Sequence, residues 1–370
     1  PVLPPKDRAF FPVRAVFSLP REARMADRIM QGPVPTILLT LALGAGGAVL
    51  AHLAGVPAPY LTGPAALVTL ASVAGLRTHV PDILRDLCFL TIGIGMGAGL
   101  NPEMLRAAAT WPLSLVVLSV AMVAIFLPGA ALLERVFVFD RLTARLAASP
   151  GHLSFVLSLT AESRADIAIV TVVQSLRVLA LTLLVPFAVA MLSGADLSIG
   201  LPPGPILSIA SLAGLAAVSA ALGWGFKRLR LPAAYLLGGF VVSSLGHASD
   251  VTPGLVPLWV SVPGFAIMGT LIGTRFSGTT PSLIVRAFGA AAALAVLALA
   301  VTVLAAFAMY WALDMPMTTL LIAYAPGGLE TMAAISVMLE ADPAFVAFHH
   351  TFRVVFLTFL VPACLPRVRA

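Results

Sequence analysis

Charge is what this chain has least of: 10% of its 370 residues are Asp, Glu, Lys or Arg, against 60% that are hydrophobic. Soluble domains carry about 25% charged residues, so the composition excludes a water-soluble globular protein. Cysteine is almost missing. Only Cys88 and Cys364 occur, inside or at the ends of apolar segments, which leaves no disulfide framework and no zinc site. His52, His79, His152, His247, His349 and His350 form no cluster with metal-ligand spacing. With no Ser/His/Asp or phosphate-loop signature either, the chain reads as no enzyme, with no cofactor and no metal. Segments of about ten residues alternating apolar and polar, which a membrane β-barrel requires, are also lacking. What is left is an all-α polytopic membrane protein with the lipid bilayer as its first partner, in keeping with a mean hydropathy of +1.03.

The formal charge of +6 does not mark a nucleic-acid partner. Half of the excess sits before Met30, where Lys6, Arg8, Arg14, Arg21, Arg24 and Arg28 face Asp7, Glu22 and Asp27. The other cations are scattered over loops, as topology determinants are. The chain begins with Pro1, and Met25 opens a more ordinary start. Residues 1–32 are therefore expected to be a basic, disordered tail on the cytoplasmic side.

A repeat organises the rest. Pro150 and Pro326, Arg177 and Arg353, and Pro186 and Pro362 are each separated by 176 residues, which sets the architecture before any single motif is weighed. Tyr60 and Gly63 match Tyr235 and Gly238 at offset 175, while Gly93 and Gly97 match Gly269 and Gly273 at offset 176. The two membrane repeats run over 33–192 and 205–366. About twenty apolar residues are needed to cross the hydrocarbon; in the first repeat such spans fall at 33–53, 60–76, 86–100, 111–133 and 166–190. The second gives 206–226, 233–246, 257–274, 287–312 and 344–364.

Two further apolar stretches, 142–163 and 318–339, are broken near their starts by Ser149-Pro150-Gly151 and Pro326-Gly327-Gly328. They can be full spans or re-entrant hairpins, and the charges separate the options. With six spans per half, the repeats are parallel and the Lys and Arg of the loops divide seven to seven, against the positive-inside rule. With five spans and a hairpin, the second half is inverted. Arg77, Arg85, Arg135, Arg141, Arg145, Arg164, Lys227, Arg228, Arg230, Arg275, Arg286, Arg367 and Arg369 then lie inside, and only Arg106 outside. The expected fold is an inverted tandem repeat, about five transmembrane helices plus one re-entrant or broken helix per half, in the bacterial inner membrane with a cytoplasmic N-terminus.

A Pro-Gly break at membrane depth is tolerated where it is buried in protein or lines a wet cavity. The helix that restarts after it offers free N–H groups and a positive dipole end. Pro150, Gly151, Pro326, Gly327 and Gly328 are thus candidate substrate-binding positions, together with Arg177 and Arg353 near the middle of the last span of each half. A central Arg must face the protein interior and meet a partner. Two readings stand: paired guanidiniums that recognise a small anion, or Arg-to-carbonyl and ion-pair contacts that hold the hairpins. The halves differ where Glu330 replaces Ser154 and His350 replaces Gln174. His350 shares a helix face with Arg353, and His349 borders it. Glu330, His350 and His349 are therefore candidate ion-coupling residues, with a plain Glu330–Arg353 charge pair as the alternative. The Gly93-Ile-Gly-Met-Gly-Ala-Gly99 run and the Gly269/Gly273 pair read as close helix packing.

These motifs resemble the bacterial AbrB-type membrane protein family, often labelled "ammonia monooxygenase" or AbrB family transcriptional regulator. The likeness rests on a Tyr-x-x-Gly span, a Gly-x-x-x-Gly span and the Ala325–Glu330 motif with Arg353, and covers about 35–365. The first copy departs from it at His152 and Ser154. A copper oxygenase would need histidine ligands absent here, and the small soluble DNA-binding regulator of the same name has no comparable architecture. The resemblance implies an inner-membrane protein, with an effect on gene expression attached to one member, and a duplicated plan similar to secondary transporters. The function expected is secondary transport of a small anionic organic solute coupled to H⁺ or Na⁺, in a chain that could form a homodimer. The rival is a membrane-embedded regulator of gene expression acting through a partner or a metabolite level.

Overall fold

The computed structural model describes residues 33–98, 111–150, 153–161, 163–193, 205–229, 231, 233–249 and 251–365, with Ser154, Ser158 and Ser193 as backbone only. The basic tail and Arg106, Gly151, His152 and Glu162 lie outside the described residues. The described part of the first repeat holds seven helices: α1 (Pro33–Leu53), α2 (Pro59–Val73), α3 (Asp82–Ala98), α4 (Trp111–Arg135), α5 (Arg141–Ala148), α6 (Leu153–Ala161) and α7 (Ile167–Ser193). The second matches them one for one as α8 (Ile209–Arg228), α9 (Ala234–Ala248), α10 (Leu258–Thr274), α11 (Pro281–Leu313), α12 (Met317–Tyr324), α13 (Leu329–Met338) and α14 (Pro343–Cys364). Six of these, α1, α4, α7, α8, α11 and α14, are long and apolar enough to cross a membrane. The molecule is an all-α polytopic membrane protein.

The structure breaks both stretches at the prolines that the sequence marks. Ser149 and Ala325 are the residues before Pro150 and Pro326, and proline drives its predecessor out of the helical region. Their backbones are extended, with ψ of 122° and 126°, so α5 and α12 end there after eight residues each. The break therefore falls near the middle of each stretch.

The halves interleave. Helices α1–α3 pack with α8–α10, and α4–α7 pack with α11–α14, so two bodies form and each draws on both repeats. The contacts exchange in pairs: α2 lies on α10 as α9 lies on α3, and α4 meets α14 as α11 meets α7. Glycine sets the closest approach in the first body. A Cβ on Gly93 would strike the backbone carbonyl of Leu236, and one on Gly269 the carbonyl of Leu61. The same repeated glycines that the sequence marks as packing positions thus bring backbones of opposite halves together. Backbone strain repeats as well: Ala58 and Ala233 both take φ near 50° ahead of α2 and α9, and Val138 and Asp314 both have φ above 50°. Such left-handed non-glycine residues persist only where surrounding contacts fix them.

Candidate functional site

Each α5–α6 and α12–α13 pair returns to the level at which it started. The Thr143 hydroxyl, in the first turn of α5, accepts the backbone N–H of Asp166 at 2.9 Å, one residue before α7. Thr319 accepts the N–H of Asp342 at 3.0 Å in the same way, one residue before α14. Asp166 and Asp342 then cap the next helix, the first through Ala168 and Ile169 N–H and the second through Ala344 and Phe345 N–H. A segment whose two ends are joined in this manner is a hairpin.

A broken helix leaves carbonyls without intrahelical partners, and in hydrocarbon each must find another donor. In the second half, Arg353 Nη1 donates to Ala325 O at 2.9 Å and Nη2 donates to Gly327 O at 2.6 Å. His350 Nε2 donates to Ile322 O at 3.0 Å, and Thr302 Oγ1 donates to Tyr324 O at 3.3 Å. In the first half, Arg177 Nη1 donates to Ser149 O at 2.8 Å, with a longer reach of 3.5 Å to Ala148 O. Gln174 Nε2 donates to Leu146 O at 2.8 Å. The clasp is therefore built twice from one plan, with Gln174 and His350 as interchangeable donors. It also sets a cation on the negative C-terminal end of each short helix.

The guanidiniums are not used up by this work. Arg177 and Arg353 are 1% and 3% exposed, and the Nε–H of each has no hydrogen-bond partner. Arg177 lies within electrostatic reach of Arg353, and Glu330 acts on both Arg353 and Arg275. Each of the two buried cations thus keeps an unspent donor edge at its own break. His350 Nδ1, Ser149 Oγ and Thr331 Oγ1 are buried polar atoms at the same breaks that also lack partners. Buried polar groups are normally satisfied, so these unpartnered atoms mark the breaks as the candidate site.

The candidate residues fall into two groups. Arg177, Arg353, Pro150, Pro326, Gly327, Gly328, Glu330 and His350 come together at the breaks, whereas Gly151 lies outside the described residues. His349 turns to another task. Its Nδ1 donates to Phe345 O at 2.8 Å, so Nε2 accepts from Ser114 Oγ at 2.7 Å, and Tyr324 Oη donates to Ser114 O at 2.9 Å. That network ties α4, α12 and α14 just behind the second break. Sequence reasoning missed Arg275, counting it only as a loop cation; it ends α10 and lies close enough to Glu330 to feel its charge. No motif spacing points to that meeting, because it comes from α10 and α13 packing together.

The architecture can be set against known proteins. The sequence profile of the family described as "Transition state regulatory protein AbrB" matches residues 60–369. A protein of Bacillus subtilis (strain 168), named "Uncharacterized protein YhjN", is 27% identical over 299 residues, covering 74% of this chain and 75% of its own. A protein of Escherichia coli (strain K12) with a provisional regulator designation under the name AbrB is 33% identical over 153 residues, covering 41% of this chain and 42% of its own. With the profile spanning well over half of its length, the chain belongs to the AbrB family.

Proposed function

We propose that this protein is a secondary transporter of a small anionic organic solute, resident in the inner membrane with its N-terminus on the cytoplasmic side. The observation that carries the reading is the pair of buried arginines, one from each half, each clasping its own hairpin break and each keeping an unpartnered Nε–H. Buried like charges repel unless something of opposite sign lies between them. The helix C-terminal ends at the breaks are already met by Arg177 and Arg353, and the restarted helices offer N-terminal ends. The local electrostatics therefore favour an anion as cargo.

In this reading each half crosses an odd number of times, the halves are inverted and the breaks approach the midplane from opposite faces, as in transporters built from inverted repeats; the joined hairpin ends support it. Glu330 or His350 handles the coupling ion, H⁺ or Na⁺, at the second break, where the first half carries Ser154 and Gln174. The regulator designation of the Escherichia coli relative favours a second reading, in which the membrane protein alters gene expression through a partner or through the level of its solute.

A thermal-shift screen of the purified protein over anionic metabolites at two pH values tests the first reading, with folded Arg177→Ala and Arg353→Ala as controls. A shift from at least one anion that both variants lose is expected. No shift across a broad panel from folded protein would remove the basis for transport.

A further inference from the structure

We propose that His349, Ser114 and Tyr324 form a proton-binding site behind the second break: the imidazole takes up a proton at Nε2, and the Ser114 hydroxyl turns to hold it there. All three residues are fully buried, and their hydrogen bonds can be written in two complete ways. With the imidazole neutral, Nδ1 donates to Phe345 O at 2.8 Å, Ser114 Oγ donates to Nε2 at 2.7 Å and Tyr324 Oη donates to Ser114 O at 2.9 Å. Once a proton sits on Nε2, the 2.7 Å contact runs the other way, from Nε2 to Ser114 Oγ. The Ser114 hydroxyl hydrogen then turns to Tyr324 Oη, 2.7 Å away, and the other two bonds stay as they are. Among these atoms no donor is stranded in either state, so a buried group can change charge without losing a hydrogen bond.

The surroundings suit the cation as well. Phe345 covers the imidazole with ring centroids 3.7 Å apart, and an aromatic face attracts a cation placed over it. Tyr324 is the last residue of α12, at the negative end of that helix. It is the titratable group facing His349 from α12, while α4 presents Ser114 and Trp111. On α14, His350 and Arg353 are turned to the carbonyls of Ile322, Ala325 and Gly327, and Glu330 of α13 belongs to the break. The α3 charges, Asp82, Arg85 and Asp86, are paired with one another and with Lys227. The repeat argues against a packing role alone. At offset 176, Trp111, Ser114, Tyr324 and His349 correspond to Ala287, Ala290, Ala148 and Val173, all buried. The first half thus closes the equivalent joint of α11 and α7 with apolar side chains, and the fold needs no imidazole or hydroxyl there.

Trp111 supplies the readout, its ring centroid lying 6.3 Å from that of His349, because an imidazolium quenches a neighbouring indole more than an imidazole does. Trp224, Trp259 and Trp311 are exposed; with all three changed to Phe, the purified full-length protein emits from Trp111 alone. Its emission is followed from about pH 8 to about pH 4, through the range in which histidine titrates, with circular dichroism checking the fold. One reversible, single-proton quenching transition is expected, and His349→Gln should abolish it. Tyr324→Phe leaves the neutral Ser114–His349 bond intact but removes the acceptor that Ser114 needs once His349 is charged. It should therefore move the midpoint toward lower pH by about one unit. Flat emission from folded protein, a transition that survives His349→Gln, or a midpoint that Tyr324→Phe leaves in place would each overturn the proton site. Should His349→Gln not fold, the comparison of the parent with Tyr324→Phe decides. The titration needs no solute, so its failure leaves the transporter reading as it stands.

Discussion

Thr143 Oγ1 accepts the backbone N–H of Asp166 at 2.9 Å, and so fastens the start of the first hairpin to its end. The equivalent bond from Asp342 to Thr319 measures 3.0 Å. A single hydroxyl on each side thus ties the start of a broken stretch to the residue that opens the next helix.

Removing that hydroxyl leaves a part-buried backbone donor without its partner, which costs at most about 1 kcal/mol of net hydrogen-bond stability. Thr143→Val and Thr319→Val are each expected to lower the melting temperature in detergent, and hydrogen exchange should show faster opening of the affected hairpin alone. Uniform loss across both hairpins would mean that the two are not independent clasps.

The arginines should differ in structural weight. Arg353 makes two carbonyl bonds of 2.9 and 2.6 Å, and Arg177 makes one of 2.8 Å and a long one of 3.5 Å. Arg353→Ala is therefore expected to destabilise by more than Arg177→Ala, the difference being on the order of one buried hydrogen bond, about 1–2 kcal/mol. Urea or thermal unfolding of the two variants side by side decides it, and equal losses would show that the second Arg353 bond contributes nothing.

Close packing between the halves makes a sharper contrast. Gly93→Ala places a methyl against the Leu236 carbonyl, which is backbone and cannot turn away, whereas Gly214 on α8 has open space around it. Overpacking of this kind costs about 1–3 kcal/mol, and alanine in an exposed helix gains up to about 1 kcal/mol over glycine. Gly93→Ala should reduce the yield of folded protein while Gly214→Ala leaves it the same or better. Matching yields for the two would contradict the backbone contact between α3 and α9.

Topology can be read with single cysteines. Leu76 and Leu229 are exposed, at 43% and 71%, on the connections after α2 and α8. In a background without Cys88 and Cys364, Leu76→Cys and Leu229→Cys should both react only with reagent applied from the cytoplasmic side. Labelling from opposite sides would mean parallel halves.

Much of this was legible in the sequence. Long apolar runs place the spanning helices, the 176-residue offset pairs the halves, and Pro150 and Pro326 announce the breaks. These are local consequences of hydrophobicity and of proline's restriction on its neighbour. What the sequence could not tell is who meets whom. That Arg353 spends its Nη atoms on Ala325 and Gly327 carbonyls follows from the folding of α12–α14 on themselves, that His349 serves Ser114 from the packing of α14 on α4, and that Arg275 lies near Glu330 from the packing of α10 on α13. Packing between segments far apart in the chain has no signature in residue spacing.

In the transport proposed above, the paired breaks carry an anion across the membrane. Uptake of a radiolabelled anion that the protein binds, measured in sealed proteoliposomes with an imposed pH or Na⁺ gradient, tests it most directly. The account predicts accumulation above empty liposomes that depends on the gradient, fails in Arg177→Ala and Arg353→Ala, and loses its gradient dependence in Glu330→Gln. Binding of the anion with no uptake above empty liposomes, under either gradient, would contradict it.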